Sequence, residues 1–316
     1  MNSLAPIVLF VYNRPRHTQR TLEALAKNHL ANGSVLYIYA DGPKKDAESK
    51  IIEKIEETRK IIRERQWCKD VHIIESENNK GLADSILEGI TDIINKYGKV
   101  IVLEDDIVTS VGFLKYMNDA LNLYNEENKV MHISGYVPVT SGAEKLPETY
   151  FLRFMSCWGW ATWKRAWEQI ILDIPYLYKE LPKQSDFKRF NLDGYLNQFS
   201  QIEDNYNGSL KTWAIKWYAT IFIRKGLCLY PKYSVVDNIG FDGSGEHTFS
   251  SDNLYSVNLA ESIDVSSIKT KECKYAYNYL KRFYKYGRDS TLNRRIKLYL
   301  KSSYIGKIYK KIRYIV

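Results

Sequence analysis

Three consecutive acids, Glu104-Asp105-Asp106, follow the apolar run Val100-Ile101-Val102-Leu103. Such a run reads as a buried strand, and its end cannot hold three carboxylates out of water without partners. A hard divalent cation relieves their repulsion, and Mg²⁺ or Mn²⁺ takes oxygen ligands and bridges carboxylates to phosphates. Other polar groups stand at the ends of apolar runs. Arg14, beside Asn13, suits a phosphate, and Asp41 before Gly42 is either a nucleoside acceptor or a turn residue. Asn79-Lys80-Gly81 opens a helical pattern, where backbone N–H groups hold anions. His247 closes the stretch Gly240-Phe-Asp-Gly-Ser-Gly-Glu-His247, whose glycines let the backbone approach a ligand closely. None of these loops matches GxxxxGK[ST] or GxGxxG, which disfavours P-loop and dinucleotide sites.

The elements that must position these residues alternate. Strands are expected at Ile7–Tyr12, Val35–Ala40, Val71–Glu75, Val100–Glu104 and Val130–Ser134, nearly continuous in apolar character as in sheets covered on both faces. Helices are expected near Thr18–Asn28, Ala47–Gln66, Leu82–Tyr97 and Gly112–Glu126. This alternation predicts an α/β fold with a mostly parallel sheet flanked by helices, and ligands beyond the carboxyl ends of the strands. Farther on come an aromatic-rich segment, Phe151 to Trp167, and a less structured polar stretch to about Gly208. A helix at Leu210–Lys225, a strand at Leu227–Tyr230 and a helical tail from about Lys274 follow.

The 316 residues, 45% hydrophobic and 26% charged, have a globular composition. No apolar stretch reaches membrane-spanning length, and no secretion signal is expected at the N-terminus. Four scattered cysteines without a CxxC pair indicate neither a zinc ribbon nor a disulfide framework, and reduced cytosolic thiols are expected. Charge is unevenly placed: of the net +9, residues 269–316 carry +13, from 15 Lys or Arg and 2 acids, leaving −4 on residues 1–268. Ile305, Ile308, Tyr309, Ile312 and Ile315 fall on one helix face with lysines between them. That pattern suits a peripheral membrane surface.

Taken together, these motifs resemble the GT-A glycosyltransferases, and within them bacterial relatives of N-acetylglucosaminyltransferase I. The matching pieces are Pro6-Ile-Val-Leu-Phe-Val-Tyr-Asn-Arg-Pro15, Tyr39-Ala-Asp-Gly42, Asn79-Lys-Gly81 and Val102-Leu-Glu-Asp-Asp106. They continue in the same order with Cys157-Trp-Gly-Trp-Ala-Thr-Trp163 and Asn238 to His247, spanning about residues 5–250. The resemblance implies a GT-A (Rossmann-like) fold and a metal-dependent, inverting transfer of a hexosyl or N-acetylhexosaminyl group. The donor would be a nucleotide-sugar, a UDP-sugar foremost, and the acceptor a saccharide or lipid-linked molecule in bacterial surface polysaccharide synthesis. It implies Asp106 as ligand to Mn²⁺ or Mg²⁺, with His247 near the metal and phosphates. Glu104 and Asp105 would face ribose or donor sugar, Asp41 the base, and Arg14 the diphosphate. Asn13, Asn79 and Lys80 would complete the donor site, and the Trp158-Gly159-Trp160 turn would lie beside the sugars. A nucleotide-sugar half is expected at 1–135, an acceptor half at 136–268 and a basic tail at 269–316; the signal-free N-terminus and that tail together suggest work at the cytoplasmic face of the membrane, with no nucleic acid bound.

One departure concerns the catalytic base. Eukaryotic relatives carry an Asp in an Asp-Asp-Trp stretch, whereas the counterpart here, Trp213-Ala-Ile-Lys-Trp217, has no acid. An inverting transfer needs a base for the acceptor hydroxyl. Glu203 and Asp204 are the substitutes expected first, then Asp242 and Glu246. Two other readings stand beside the transferase: a sugar-1-phosphate nucleotidyltransferase, which should carry a glycine-rich arginine loop where this chain has Tyr12-Asn-Arg-Pro-Arg16, and a catalytically inactive sugar-binding module.

Overall fold

Apolar runs of four to six residues, punctuated by polar turns, form the centre of the protein. A computed structural model describes residues 3–242 and 254–288. The strands are β1 (Ile7–Val11), β2 (Val35–Ala40), β3 (Asp70–Glu75), β4 (Lys99–Glu104), β5 (Ile107–Thr109), β6 (Val130–Ser134), β7 (Thr149–Leu152), β8 (Trp160–Trp163), β9 (Leu227–Pro231) and β10 (Val236–Asn238). Eight of them form one sheet in the order β3-β2-β1-β4-β8-β6-β9-β7, and β10 pairs with β5 in a two-stranded ribbon. Pairing is parallel from β3 through β4 and between β6 and β9, and antiparallel where β8 meets β4 and β6 and where β7 meets β9. The expectation of a mostly parallel α/β sheet flanked by helices therefore holds.

The longer helices are α1 (Pro15–Ala26), α2 (Ser49–Arg63), α3 (Leu82–Tyr97) and α4 (Phe113–Leu123). Later come α5 (Lys164–Trp167), α6 (Ile174–Glu180), α7 (Phe187–Phe190), α8 (Phe199–Tyr206), α9 (Ala214–Ile223) and α10 (Lys274–Tyr286). Alternation along the strands divides the interior in two. Val8, Phe10, Val100 and Val102 face a core shared with α3, α9 and α10. Ile7, Leu9, Val11, Ile101 and Leu103 face another shared with α1 and α4. A strand buried on both faces needs apolar residues at every position, which is why β1 and β4 show no alternation in sequence. β3 is the exception: as the edge strand it is largely exposed, so coverage on both faces fails there.

Three regions depart from the sequence reading. The stretch 168–208 holds α6, α7 and α8, helices of seven, four and eight residues, too short to carry a readable period. The aromatic run is interior. Trp160 is 0% exposed and stacks on His132 and Trp213, while Trp163 is buried with its indole nitrogen donating to the Leu121 carbonyl. Lastly, the chain does not leave the body at residue 269. Glu272 bridges to Phe151 and pairs with Arg189, and α10 buries Tyr279, Leu280 and Phe283. The hydroxyl of Tyr279 donates to the Pro138 carbonyl at 2.8 Å. The amphipathic stretch from Ile305 lies outside the described residues, and no helix of the described residues is long and apolar enough to cross a membrane.

Candidate functional site

Register decides where the polar strand ends meet. Val11 pairs with Ala40 and Phe10 with Glu104, so β1, β2 and β4 stop level. Asn13-Arg14, Asp41 and Asp105-Asp106 consequently emerge at one edge of the sheet. Pro15 opens α1 just after Arg14, fixing the backbone where the chain turns. One turn on, Thr21 donates its hydroxyl to the Asp105 carbonyl at 2.8 Å, which pins the acidic turn against α1.

The acids are closely engaged. The Arg14 guanidinium donates to Asp106 at 2.7 Å and reaches Asp105 at 3.3 Å, all three side chains being largely buried. Burial and the neighbouring carboxylates raise the pKa values of Glu104 and Asp105 well above the carboxylate range, and Arg14 only partly opposes this. Arg14 itself loses water, which would lower its pKa, but Asp105, Asp106 and Asp242 more than compensate. A carboxylate cluster that holds protons is short of positive charge. Gly240 closes this corner: a Cβ there would come within 2.2 Å of an Asp106 oxygen. The ribbon explains the approach, since Asn238 pairs with Ile107 and the Ile239 N–H donates to the Asp106 carbonyl at 2.9 Å.

Two residues join the site from outside the expected set or its first rank. His17 lies on α1 three positions after Arg14, and its Nε2 stands 3.1 Å from Asp242. Burial and the Arg14 charge lower its pKa, against the pull of Asp242 and Asp106. One helical turn after a phosphate-suited arginine, on the same face, is the only sequence signal that could have found it.

Other expected residues are placed differently. The carboxylate of Asp41 accepts four hydrogen bonds from the protein, from the backbones of Gly42, Lys80 and Gly81 and from the Asn79 amide, all at 2.9–3.0 Å. That fills its acceptor positions, so Asp41 and Asn79 clamp two loops together. Lys80 pairs with Glu88 at 2.6 Å on the surface. Gly159 is buried at φ +57°, where an added Cβ would come within 2.7 Å of Val236, and Trp160 is core; neither presents a surface to a sugar. Trp158 is half-buried and edge-on to Phe241 and Tyr136. His247 and Glu246 lie outside the described residues.

A cleft open to solvent, with room of about 40 Å³ for water-sized molecules, adjoins the acids. Its walls include Tyr136, Phe154, Trp158, Gln198, Gln201 and, from α10, Tyr284. Cys157 also lines it, and its thiol, pushed upward mainly by burial, also feels the charges of Glu104 and Asp106. The cleft and the acidic corner are therefore neighbours. Glu203 and Asp204 are not among its walls: α8 offers Gln201 to it, while those two acids lie half-buried elsewhere on the helix.

No family model and no curated protein matches the chain. Among solved structures it is similar to the galactosyltransferase LgtC in complex with donor and acceptor sugar analogues, at 8% identity and a TM-score of 0.36, over 69% of this chain and 70% of that one. It is also similar to mouse xyloside xylosyltransferase 1, at 12% identity and a TM-score of 0.37, over 70% and 82%. A third is a UDP-glucose pyrophosphorylase complexed with UDP-glucose, at 12% identity and a TM-score of 0.36, over 73% and 91%. Likeness this distant carries no argument, and the site is read from its own residues.

Proposed function

We propose that this chain is a metal-dependent, inverting glycosyltransferase of GT-A type, moving a hexosyl or N-acetylhexosaminyl group from a UDP-sugar to a saccharide or lipid-linked acceptor in bacterial surface polysaccharide synthesis. One observation carries the reading: the largely buried pair Asp105-Asp106 is bridged by Arg14 at the edge where three parallel strands end, beside an open cleft. The donor set fits Mn²⁺ or Mg²⁺. Among the described residues no three His, Cys, Asp or Glu side chains form a cage. Such ions commonly take one or two carboxylates and draw further ligands from substrate phosphates. Asp106 would hold the ion, with Glu104 and Asp105 toward ribose or sugar, and His247 as a further ligand. When bound, the ion supplies charge neutralisation to a departing diphosphate.

The protein's own groups do the rest. Arg14 stands where it can pair with a diphosphate oxygen as well as with the acids. Asp41 shapes the base side from behind, through the loops it clamps. The acceptor hydroxyl attacks the anomeric carbon; the new C–O bond forms as the bond to the diphosphate oxygen breaks, and the nucleoside diphosphate keeps that electron pair. The hydroxyl proton goes to a carboxylate. Asp242 is the better placed base, because Phe241 beside it packs on Trp158 at the cleft and His17 orients it. Asp242→Asn is accordingly expected to cut turnover at least about a hundredfold with little change in donor affinity, and Asp204→Asn to change neither. The assay is nucleoside diphosphate release from a UDP-sugar with Mn²⁺ and a mixture of saccharide acceptors. A large effect of Asp204→Asn with none of Asp242→Asn would return the base to α8, and pyrophosphate release from nucleoside triphosphate and sugar phosphate would favour a nucleotidyltransferase.

A peripheral location at the inner membrane face rests on the basic, amphipathic stretch from Ile305. Since α10 belongs to the body, the proper truncation ends at residue 288. It is expected to release the protein from anionic vesicles while leaving the fold unchanged, and undiminished vesicle binding would refute the location.

A further inference from the structure

The cleft beside the acids is built for one chemical class. Among the described residues no charged side chain lines it. Three of its tyrosines present rings, because their hydroxyls are already used: Tyr136 donates to the Tyr255 carbonyl, Tyr218 to that of Phe190 and Tyr230 to that of Phe154. Polar recognition therefore falls to few groups. Gln198 is 6% exposed and lines the cleft. Its amide oxygen accepts from Gln201 at 2.9 Å, while its amide nitrogen has no partner among the described residues. That N–H₂ is not sealed in the core, so from the cleft wall it can donate to a ligand oxygen.

We propose that this cleft is an acceptor subsite for an uncharged saccharide ring, with Gln198 donating to a sugar hydroxyl or acetamido oxygen and Trp158 packing against the ring. An anionic sugar such as a uronate or sugar phosphate would find no charged partner on the cleft wall itself. Leaving water without a counter-charge is prohibitive for such a group. A purely aliphatic ligand would leave Gln198 unmatched. The position of the cleft relative to a donor rests on the transferase reading; the preference for neutral sugars rests on the cleft alone.

The test is saturation-transfer NMR on the full chain with methyl glucoside, methyl galactoside and methyl N-acetylglucosaminide, against methyl glucuronide and glucose 6-phosphate. The neutral glycosides are expected to bind, the anionic ones at least about tenfold more weakly, and Gln198→Leu to weaken neutral binding by about tenfold, the loss of one buried hydrogen bond. Gln198→Glu keeps the size and the acceptor atom but loses the donors, and should weaken neutral binding likewise, which guards against a folding failure of the leucine variant. Equal binding of the anionic sugars would overturn the proposal. So would unchanged affinity in the glutamate variant, or transfer confined to the alkyl chain of octyl glucoside. UDP-sugar binding to the same wild-type sample is followed separately: its absence strikes the donor reading and leaves a neutral-sugar site standing.

Discussion

Asp106→Ala is expected to lower turnover by about a thousandfold or more and to abolish the effect of Mn²⁺ on donor binding, while the fold survives. Asp106 sits at a strand end, so its removal leaves no hole in either core; its carboxylate touches Arg14 and the backbone at Gly240. Removing it also takes one negative charge from a cluster in which burial and repulsion already hold Glu104 and Asp105 toward their protonated forms. The loss to Arg14 is cushioned by Asp105, which stays within 3.3 Å. Activity should therefore collapse with only a small change in melting temperature. A variant that unfolds, or one that turns over normally, would each contradict this division between site and scaffold.

Acid should weaken the fold through His132, a residue of the core. His132 is fully buried, with Nδ1 facing the Trp217 indole nitrogen at 3.2 Å and Nε2 facing the Ser156 carbonyl at 3.0 Å. An indole nitrogen only donates, so Nδ1 must accept and Nε2 must carry the proton that goes to Ser156. Protonating Nδ1 would break the first bond and bury a charge. Burial lowers the pKa to about 3, against 6.5 for a free histidine. The unfolded chain consequently binds the extra proton below about pH 6.5, and the folded chain does not until about pH 3. Stability from this group is complete above 6.5 and is lost as pH falls, by about 1.4 kcal/mol per pH unit at most. Glu104 and Asp105 have raised values and act with the opposite sign, gaining stability as pH falls. The difference between proteins isolates the histidine: from pH 7 to 4.5, urea unfolding of wild type should lose about 2–3 kcal/mol more than that of His132→Gln. Parallel pH profiles would show that His132 does not titrate as its surroundings require. Because Ser156 lines the cleft, this core contact also holds a wall of the site.

The frame of the protein was legible because strand and helix signals were strong where they positioned the site. β2, β6 and α3 fall where expected to the residue, and the polar ends of β1, β2 and β4 do share one edge. What sequence could not separate was packing from recognition. Trp160 and Trp158 sit two positions apart in one aromatic run, yet one is core and the other borders the cleft. A four-residue strand buried on both faces gives tryptophan no pattern by which to tell the two. Asp41 was ambiguous for the same reason, and its carboxylate proved to clamp loops. Gln198 had no signal at all, since its importance comes from α8, α9 and α10 meeting around a cleft. Short helices of that kind take their stability from tertiary contact rather than local period.

The central claim is that carboxylates at the end of β4 grip a cation that in turn grips a nucleoside diphosphate. Calorimetric titration of UDP tests it most directly, into wild type with Mn²⁺, into wild type with EDTA, and into Asp106→Ala with Mn²⁺. The account predicts clear binding in the first case and at least about a hundredfold weaker binding in the other two, the share of affinity a metal clamp supplies. Equal affinity in all three would contradict it.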